Sequence, residues 1–72
     1  MKVAWKALTD FDVERLVRDY DLTETELKIL QLRRKGVDPE AIPFKIFYQR
    51  SQTYAITAKL TRKVMQMYQE NR

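Results

Sequence analysis

Apolar residues recur at spacings of three and four along most of this 72-residue chain, which is the periodicity of amphipathic α-helices. The first such stretch predicts a helix from about Asp10 to Tyr20, capped at its start by Thr9 or Asp10. Its inward face should carry Val13, Leu16, Val17 and Tyr20. No segment shows the sustained apolar and polar alternation of a half-buried strand, so the pattern indicates helices throughout.

The second predicted helix has clearly marked ends. Thr23 is followed three residues later by Glu26, which is the spacing of a capping box, where each side chain hydrogen-bonds the other residue's backbone N–H. At the far end, Gly36 can adopt the left-handed conformation that terminates a helix. These limits predict a helix from about Glu24 to Lys35. Its core-facing residues should be Leu27, Ile29, Leu30 and Leu32.

Two further helices are predicted after this glycine. Asp38 followed by Pro39 is a start signal, because aspartate caps well and proline at the first helical position gives up an N–H that has no partner there. The short helix that follows contains Pro43, which is either tolerated in the first turn or divides the segment into two turns. Residues 51–69 contain neither Gly nor Pro and predict one long helix capped by Ser51.

Together these elements predict one all-α domain over residues 1–72, a small four-helix bundle with a helix-turn-helix at about 22–64 and a long C-terminal helix. Residues 1–8 would form either an extended arm or a lead-in that packs Trp5 on the helices. The inward residues of the third helix should be Ile42, Ile46 and Phe47. The last helix carries one apolar stripe of Ile56, Leu60, Val64 and Met67 and a second of Tyr54, Ala58, Met65 and Tyr68. So wide a face predicts either packing on the other helices or a homodimer through the C-terminal helix.

The composition excludes several classes of function. The chain has no His and no Cys, so it lacks imidazole and thiolate ligands for zinc and the commonest general base and nucleophile of enzymes. We therefore expect a binding protein rather than an enzyme, with no metal and no cofactor. No apolar run approaches the ~20 residues that cross a bilayer, and the N-terminal residues lack the apolar core of a signal peptide. A cytoplasmic location and no membrane partner are expected.

The net charge of +4 is unevenly distributed. Residues 1–32 carry five basic and seven acidic side chains, whereas residues 33–72 carry nine basic and three acidic ones. The C-terminal half is therefore suited to face a polyanion. A solvated surface that keeps the protein soluble is the simpler interpretation of the same charge.

One run of residues resembles a known family. It begins with Leu22-Thr23-Glu24-Thr25-Glu26 and continues with Ile29-Leu30, Leu32, Gly36 and Ile42. This order resembles the first two helices of the LuxR/GerE-type helix-turn-helix, and Thr53-Tyr54 resembles the pair that opens that family's recognition helix. Region 4 of bacterial sigma factors has a similar layout and is a second possible relative. The likeness covers residues 22 to about 64, although the family's arginine is Thr25 here and its alanine is Pro43.

The resemblance implies a dimeric transcriptional regulator that binds double-stranded DNA sequence-specifically. The first turns of the fourth helix would face the major groove. Ser51, Gln52 and Thr53 would contact phosphates or base edges, and Ala55 would contact a thymine methyl group. The basic side chains expected to hold phosphates are Lys45, Arg50, Lys59, Arg62 and Lys63. Gln52 has the alternative explanation of an exposed residue at a helix start, and the basic residues that of a solvated face.

A protein-interaction module is the alternative function. In it, the apolar face of the C-terminal helix would dock on a partner such as a polymerase or a regulator. Four aromatic residues, Phe44, Phe47, Tyr48 and Tyr54, also have the chemistry to stack on single-stranded bases. Their spacing follows the predicted helices, so we expect them to pack in the core instead.

Overall fold

The computed structural model of the protein describes residues 3–70. It contains a short 3-10 helix, Trp5–Ala7, and four α-helices. The α-helices are α1 (Asp10–Asp19), α2 (Glu24–Arg34), α3 (Ile42–Ile46) and α4 (Arg50–Glu70). No strand occurs between residues 3 and 70, so the all-α prediction with its long C-terminal helix is confirmed. Helix α2 contacts the 3-10 helix, α3 and α4, and α4 also contacts α1.

The ends of α1 and α2 follow from local hydrogen bonds that the sequence predicted. Thr9 caps α1, because its backbone N–H donates to Asp12 Oδ2 at 3.0 Å and its hydroxyl accepts from the Asp12 N–H at 3.1 Å. Thr23 and Glu26 form the same capping box on α2, at 2.9 and 3.1 Å. Gly36, with φ of +87°, ends α2 in the left-handed conformation.

The lead-in before α1 packs on the helices, as one of the two alternatives for residues 1–8 predicted. Residues 1 and 2 of that segment lie outside the described range. Leu8 is buried, and Trp5 is half-buried with its ring 5.3 Å from the guanidinium of Arg33. Arg34 holds the same segment, since it donates to the Leu8 carbonyl and to Asp10. The N-terminal segment is therefore attached to the end of α2.

Helix α3 begins later than predicted. The Asp38 carboxylate accepts from the backbone N–H of Glu40, two residues further on, so it closes a turn over residues 38–41 and does not cap a helix. A helix that began at Pro39 could not continue, because Pro43 has no N–H to donate to the carbonyl of Pro39. The predicted start at Asp38-Pro39 is therefore wrong. The segment is divided into a turn over residues 38–41 and the short helix α3, which is the second of the two alternatives predicted for Pro43.

Helix α4 begins at Arg50, one residue before the predicted cap at Ser51. The backbone N–H of Gln49 donates to Gln52 Oε1 at 3.2 Å, and the Gln49 carbonyl accepts from the backbone N–H of Thr53. Gln49 thus occupies the position that had been predicted for Ser51. Phe47, with a left-handed φ of 60°, ends α3, and α4 begins three residues later.

The apolar stripe of α4 lies in the core. Leu60, Val64 and Met67 are fully buried, and Ile56 packs at their edge. The other buried apolar residues are Leu8, Val13, Leu16, Ile29, Leu30 and Ile42. Of the two predicted uses of this stripe, packing on the other helices is the one observed. Within the single chain the stripe is covered by the other helices.

Several residues predicted to be inward are exposed. Phe47 is 93% exposed and Phe44 is 75% exposed, while Tyr48, Tyr54 and Val17 lie largely at the surface. The prediction that the four aromatic residues pack in the core is therefore wrong. Helix α3 has only five residues, so the spacing of its aromatic residues does not define an inward face.

No helix within residues 3–70 combines the length and the apolar character needed to cross a bilayer. Helix α4 is the longest element, and its 21 residues correspond to about 32 Å of helix. The longest dimension of the described structure is 35 Å. Helix α4 therefore extends along nearly the whole molecule.

Burial of Leu60 inside one chain predicts a specific stability effect. Leu60→Ala should lower the free energy of unfolding by about 2–5 kcal/mol, because a fully buried side chain leaves a cavity. The adjacent exposed Lys59→Ala should change it by less than about 0.5 kcal/mol. Urea denaturation followed by circular dichroism at two protein concentrations measures both. A Leu60→Ala effect that depends on concentration would mean that the stripe packs between two copies.

Candidate nucleic-acid interface

The outer face of α4, opposite the core stripe, carries small and basic side chains. Ser51, Ala55, Ala58 and Arg62 follow one another at helical spacing on this face, and Lys59 lies beside them; all five are exposed. Three of them have the smallest side chains in the helix. The backbone of α4 is therefore accessible to a close approach between residues 51 and 58.

Charge on this helix is almost entirely positive. Residues 50–69 include four basic side chains and no Asp or Glu. One carboxylate from outside the helix reaches its start, since Glu40 accepts a hydrogen bond from the Tyr54 hydroxyl at 2.9 Å and lies 3.8 Å from Arg50 Nη2. The hydrogen bond to Glu40 raises the pKa of Tyr54. The unopposed positive charge of the outer face is therefore centred on Lys59 and Arg62.

Gln52 is exposed, but one end of its amide is engaged. Its Oε1 accepts from the backbone N–H of Gln49, which satisfies a donor at the start of α4. Adenine is read by glutamine through Oε1 and Nε2 together. In this conformation only Nε2 is left for a ligand, so Gln52 serves first as a capping residue.

Thr53 is not at the surface. It is 1% exposed, and its hydroxyl donates to the Gln49 carbonyl at 2.9 Å. Thr57 and Thr61 bond in the same way to the carbonyls of Thr53 and Thr57, at 2.7 and 2.8 Å. The predicted contact of Thr53 with DNA thus has no exposed atom to make it, because this residue packs on the inner side of α4.

Lys63 also points inward. Its ammonium nitrogen lies 2.7 Å from Glu26 Oε1 and 3.0 Å from the Asp21 carbonyl. Asp21 itself has a positive φ of 50°, a conformation that aspartate tolerates better than most residues. Lys63 therefore joins α4 to the turn between α1 and α2. Lys59 and Arg62, by contrast, are exposed on the outer face.

The partner of Lys63 is a buried carboxylate. Glu26 is 3% exposed, and its Oε1 also accepts from the backbone N–H of Thr23. Burial by itself raises the pKa of this carboxyl, but the hydrogen bonds from Lys63 and Thr23 lower it by more, so the pKa of Glu26 lies below its ordinary value. The sequence identified Glu26 as a capping residue, and nothing in it marked Lys63 as the partner.

Lys45 lies apart from the outer face of α4. It lines a groove of about 400 Å³ between α2 and α3, which we call the α2–α3 groove. The groove is lined by Leu27, Lys28, Gln31, Leu32, Lys45 and Ile46. None of these residues belongs to α4. Of the predicted DNA contacts, the structure thus brings together Arg50, Ser51, Gln52, Ala55, Lys59 and Arg62 along one helix.

In comparisons with known proteins, no family model, no curated protein and no solved structure matches the chain. The resemblance to the LuxR/GerE-type helix-turn-helix therefore stays a prediction from the residues that carry it.

The contact between Glu26 and Lys63 predicts a pH-dependent stability effect. Lys63→Met should lower the free energy of unfolding by up to about 3 kcal/mol at neutral pH, because it leaves a buried carboxylate without its cation. The folded-state pKa of Glu26 is lowered, so the pair contributes fully above the ordinary value of 4.5 and its contribution is lost as the pH falls through the lower value. The difference between wild type and Lys63→Met should therefore shrink in acid.

Urea denaturation at several pH values measures this difference. The double variant Glu26→Gln with Lys63→Met should recover much of the lost stability, because no charge remains buried. Arg62→Met, which removes the neighbouring exposed charge, is the matched control and should have little effect. A Lys63→Met variant as stable as Arg62→Met would contradict the proposed contact.

Proposed function

We propose that this chain is a sequence-specific double-stranded DNA-binding protein of the helix-turn-helix type that regulates transcription. The observation that carries the proposal is the outer face of α4, where small exposed side chains are followed by Lys59 and Arg62 with no carboxylate of the helix between them. An α-helix with such a face fits the major groove, which is about 12 Å wide. Helices α2, α3 and α4 follow in the order that a helix-turn-helix requires.

The residues of the outer face of α4 fall into two groups, those that would contact bases and those that would contact the DNA phosphates. Ser51 and Ala55 are small enough for the helix to lie deep in a groove, where a hydroxyl bonds base edges or phosphates and a methyl group contacts thymine. Lys59 and Arg62, one to three turns further along the helix, would contact the phosphate backbone of the DNA. The Arg62 guanidinium could also donate two hydrogen bonds to O6 and N7 of a guanine. Thr53 and Lys63 are left out of this proposal because their polar atoms bond within the chain.

The same proposal includes location and assembly. A binding protein without catalytic chemistry, acting on DNA, would work in the cytoplasm. Proteins of this type bind two half-sites as dimers. Because Leu60, Val64 and Met67 are in the core, a homodimer through α4 would have to use partly exposed residues outside that stripe, such as Met65.

DNA selection followed by a salt series tests the function. A duplex enriched from a random pool should bind wild-type protein with an affinity that falls steeply with salt. Lys59→Ala and Arg62→Ala should each reduce the slope of log K against log salt by about one unit, because each removes one phosphate contact. Lys28→Ala removes the same charge from the α2–α3 groove and should leave the slope unchanged.

Three results would count against the proposal. These are failure to enrich any duplex, an affinity that does not respond to salt, and an equal loss of slope in Lys28→Ala and Lys59→Ala. The last result would indicate general attraction by net charge, since the two lysines lie on different helices.

A further inference from the structure

The segment that ends α3 presents aromatic side chains to solvent. Phe44, Phe47 and Tyr48, which we call the aromatic patch, are all exposed, and the two phenylalanines are 75% and 93% exposed. Isolated apolar residues on a surface are common, but neighbouring large ones usually mark a contact with another molecule. The patch is therefore a candidate for a function beyond the fold.

Phe47 is unexpected for a second, independent reason. Its backbone has φ of 60° and ψ of 38°, the left-handed conformation that bulky side chains rarely adopt. A helix end of this kind is normally occupied by glycine or asparagine. Since the phenyl ring contributes almost no burial, nothing in the fold compensates for placing it there.

The aromatic patch adjoins the α2–α3 groove along the chain. Lys45 and Ile46, which line the groove, are flanked along the chain by Phe44 and Phe47. Tyr48 contacts α2, since its hydroxyl lies 3.3 Å from Thr25 Oγ1. The α2 side of the groove contributes Leu27 and Leu32 beside Lys28 and Gln31. The aromatic patch and the groove thus adjoin each other at α3.

The rim of this surface is positively charged. Lys28 and Lys45 are exposed on α2 and α3, and neither has an ion-pair partner within residues 3–70. A second copy of this chain would place lysines against lysines, whereas an acidic partner would be attracted. The surface of the groove is mostly apolar, so it offers few hydrogen-bonding groups to the edges of nucleic-acid bases. The charge and the groove therefore favour an acidic protein segment.

We propose that the aromatic patch and the α2–α3 groove bind an acidic amphipathic helix of a partner protein. Apolar side chains of that helix, at positions i, i+3 or i+4 and i+7, lie in the groove and against Phe44 and Phe47. Its carboxylates face Lys28 and Lys45. This surface contains no residue of α4, so the proposal does not depend on DNA binding and the two can fail separately.

Selection from a displayed library of random peptides tests the proposal. Wild-type protein is the bait, and Phe47→Gly protein is used for counter-selection. The enriched peptides should carry acidic residues and apolar residues at helical spacing.

Phe47→Gly should weaken their binding by about tenfold or more, because an aromatic anchor is lost. Its melting temperature should not fall below that of the wild type, because glycine relieves the left-handed backbone. Phe47→Asn, which also tolerates this conformation, should behave in the same way.

Two matched controls separate the surface from general effects. Phe11→Ala removes a phenylalanine that is 68% exposed on α1, and it should leave peptide binding unchanged. Lys28→Glu should weaken peptide binding by about tenfold, whereas Lys59→Glu, with the same change of charge on α4, should have a much smaller effect.

Any of four results overturns the proposal. The first is a library that yields no peptide, or only peptides without acidic residues. The second is binding that survives in both Phe47 variants. The third is a wild-type protein that sediments as a dimer while Phe47→Gly sediments as a monomer, since the occupant is then a second copy. The fourth is a single-stranded oligothymidine that binds wild type and not Phe47→Gly, since the aromatic patch then stacks on bases.

Discussion

The contact between Lys63 and Glu26 joins the last helix to the others through a buried carboxylate. Glu26 completes the capping box at the start of α2. The Lys63 ammonium group donates both to Glu26 and to the Asp21 carbonyl, so it joins α4 to α2 and to the α1–α2 turn. A buried carboxylate is tolerated only when it keeps a partner, and Lys63 supplies one to Glu26. This contact lies on the same helix as the buried Leu60, Val64 and Met67. Because these residues hold one side of α4 against the other helices, the opposite side, with the candidate DNA-binding face, points outward.

The distribution of charge in the sequence overstates the charge that is free at the surface. Arg34 is bonded to Asp10 and to the Leu8 carbonyl, Arg33 lies over the ring of Trp5, and Lys63 is paired. Among the exposed basic residues between positions 3 and 70, two groups lie on different helices. Lys59 and Arg62 lie beside small polar residues, whereas Lys28 and Lys45 border an apolar groove. The first group suits a polyanion, and the second suits a partner that is both acidic and apolar.

Local signals predicted the parts of the fold that local interactions determine. The Thr23 and Glu26 capping box, the glycine end of α2 and the core stripe of α4 follow from spacings within one or a few turns. Helix α3 could not be predicted in this way, because five residues show no periodicity and its limits depend on a side-chain turn and a left-handed residue. The inward direction of Lys63 depends on a residue 37 positions away, so neighbouring basic residues of α4 looked equivalent in sequence.

Helix α4 reaches from one end of the molecule to the other, and its two ends are anchored differently. Near the C-terminal end Glu70 accepts a hydrogen bond from Tyr20, the residue that follows α1, whereas the start of α4 is linked by Arg50 and Tyr54 to Glu40 in the turn before α3. A continuous helix without glycine or proline behaves as a stiff rod. The contact between Tyr20 and Glu70 and the exposed Ser51 and Ala55 therefore belong to one element, although they lie near its opposite ends.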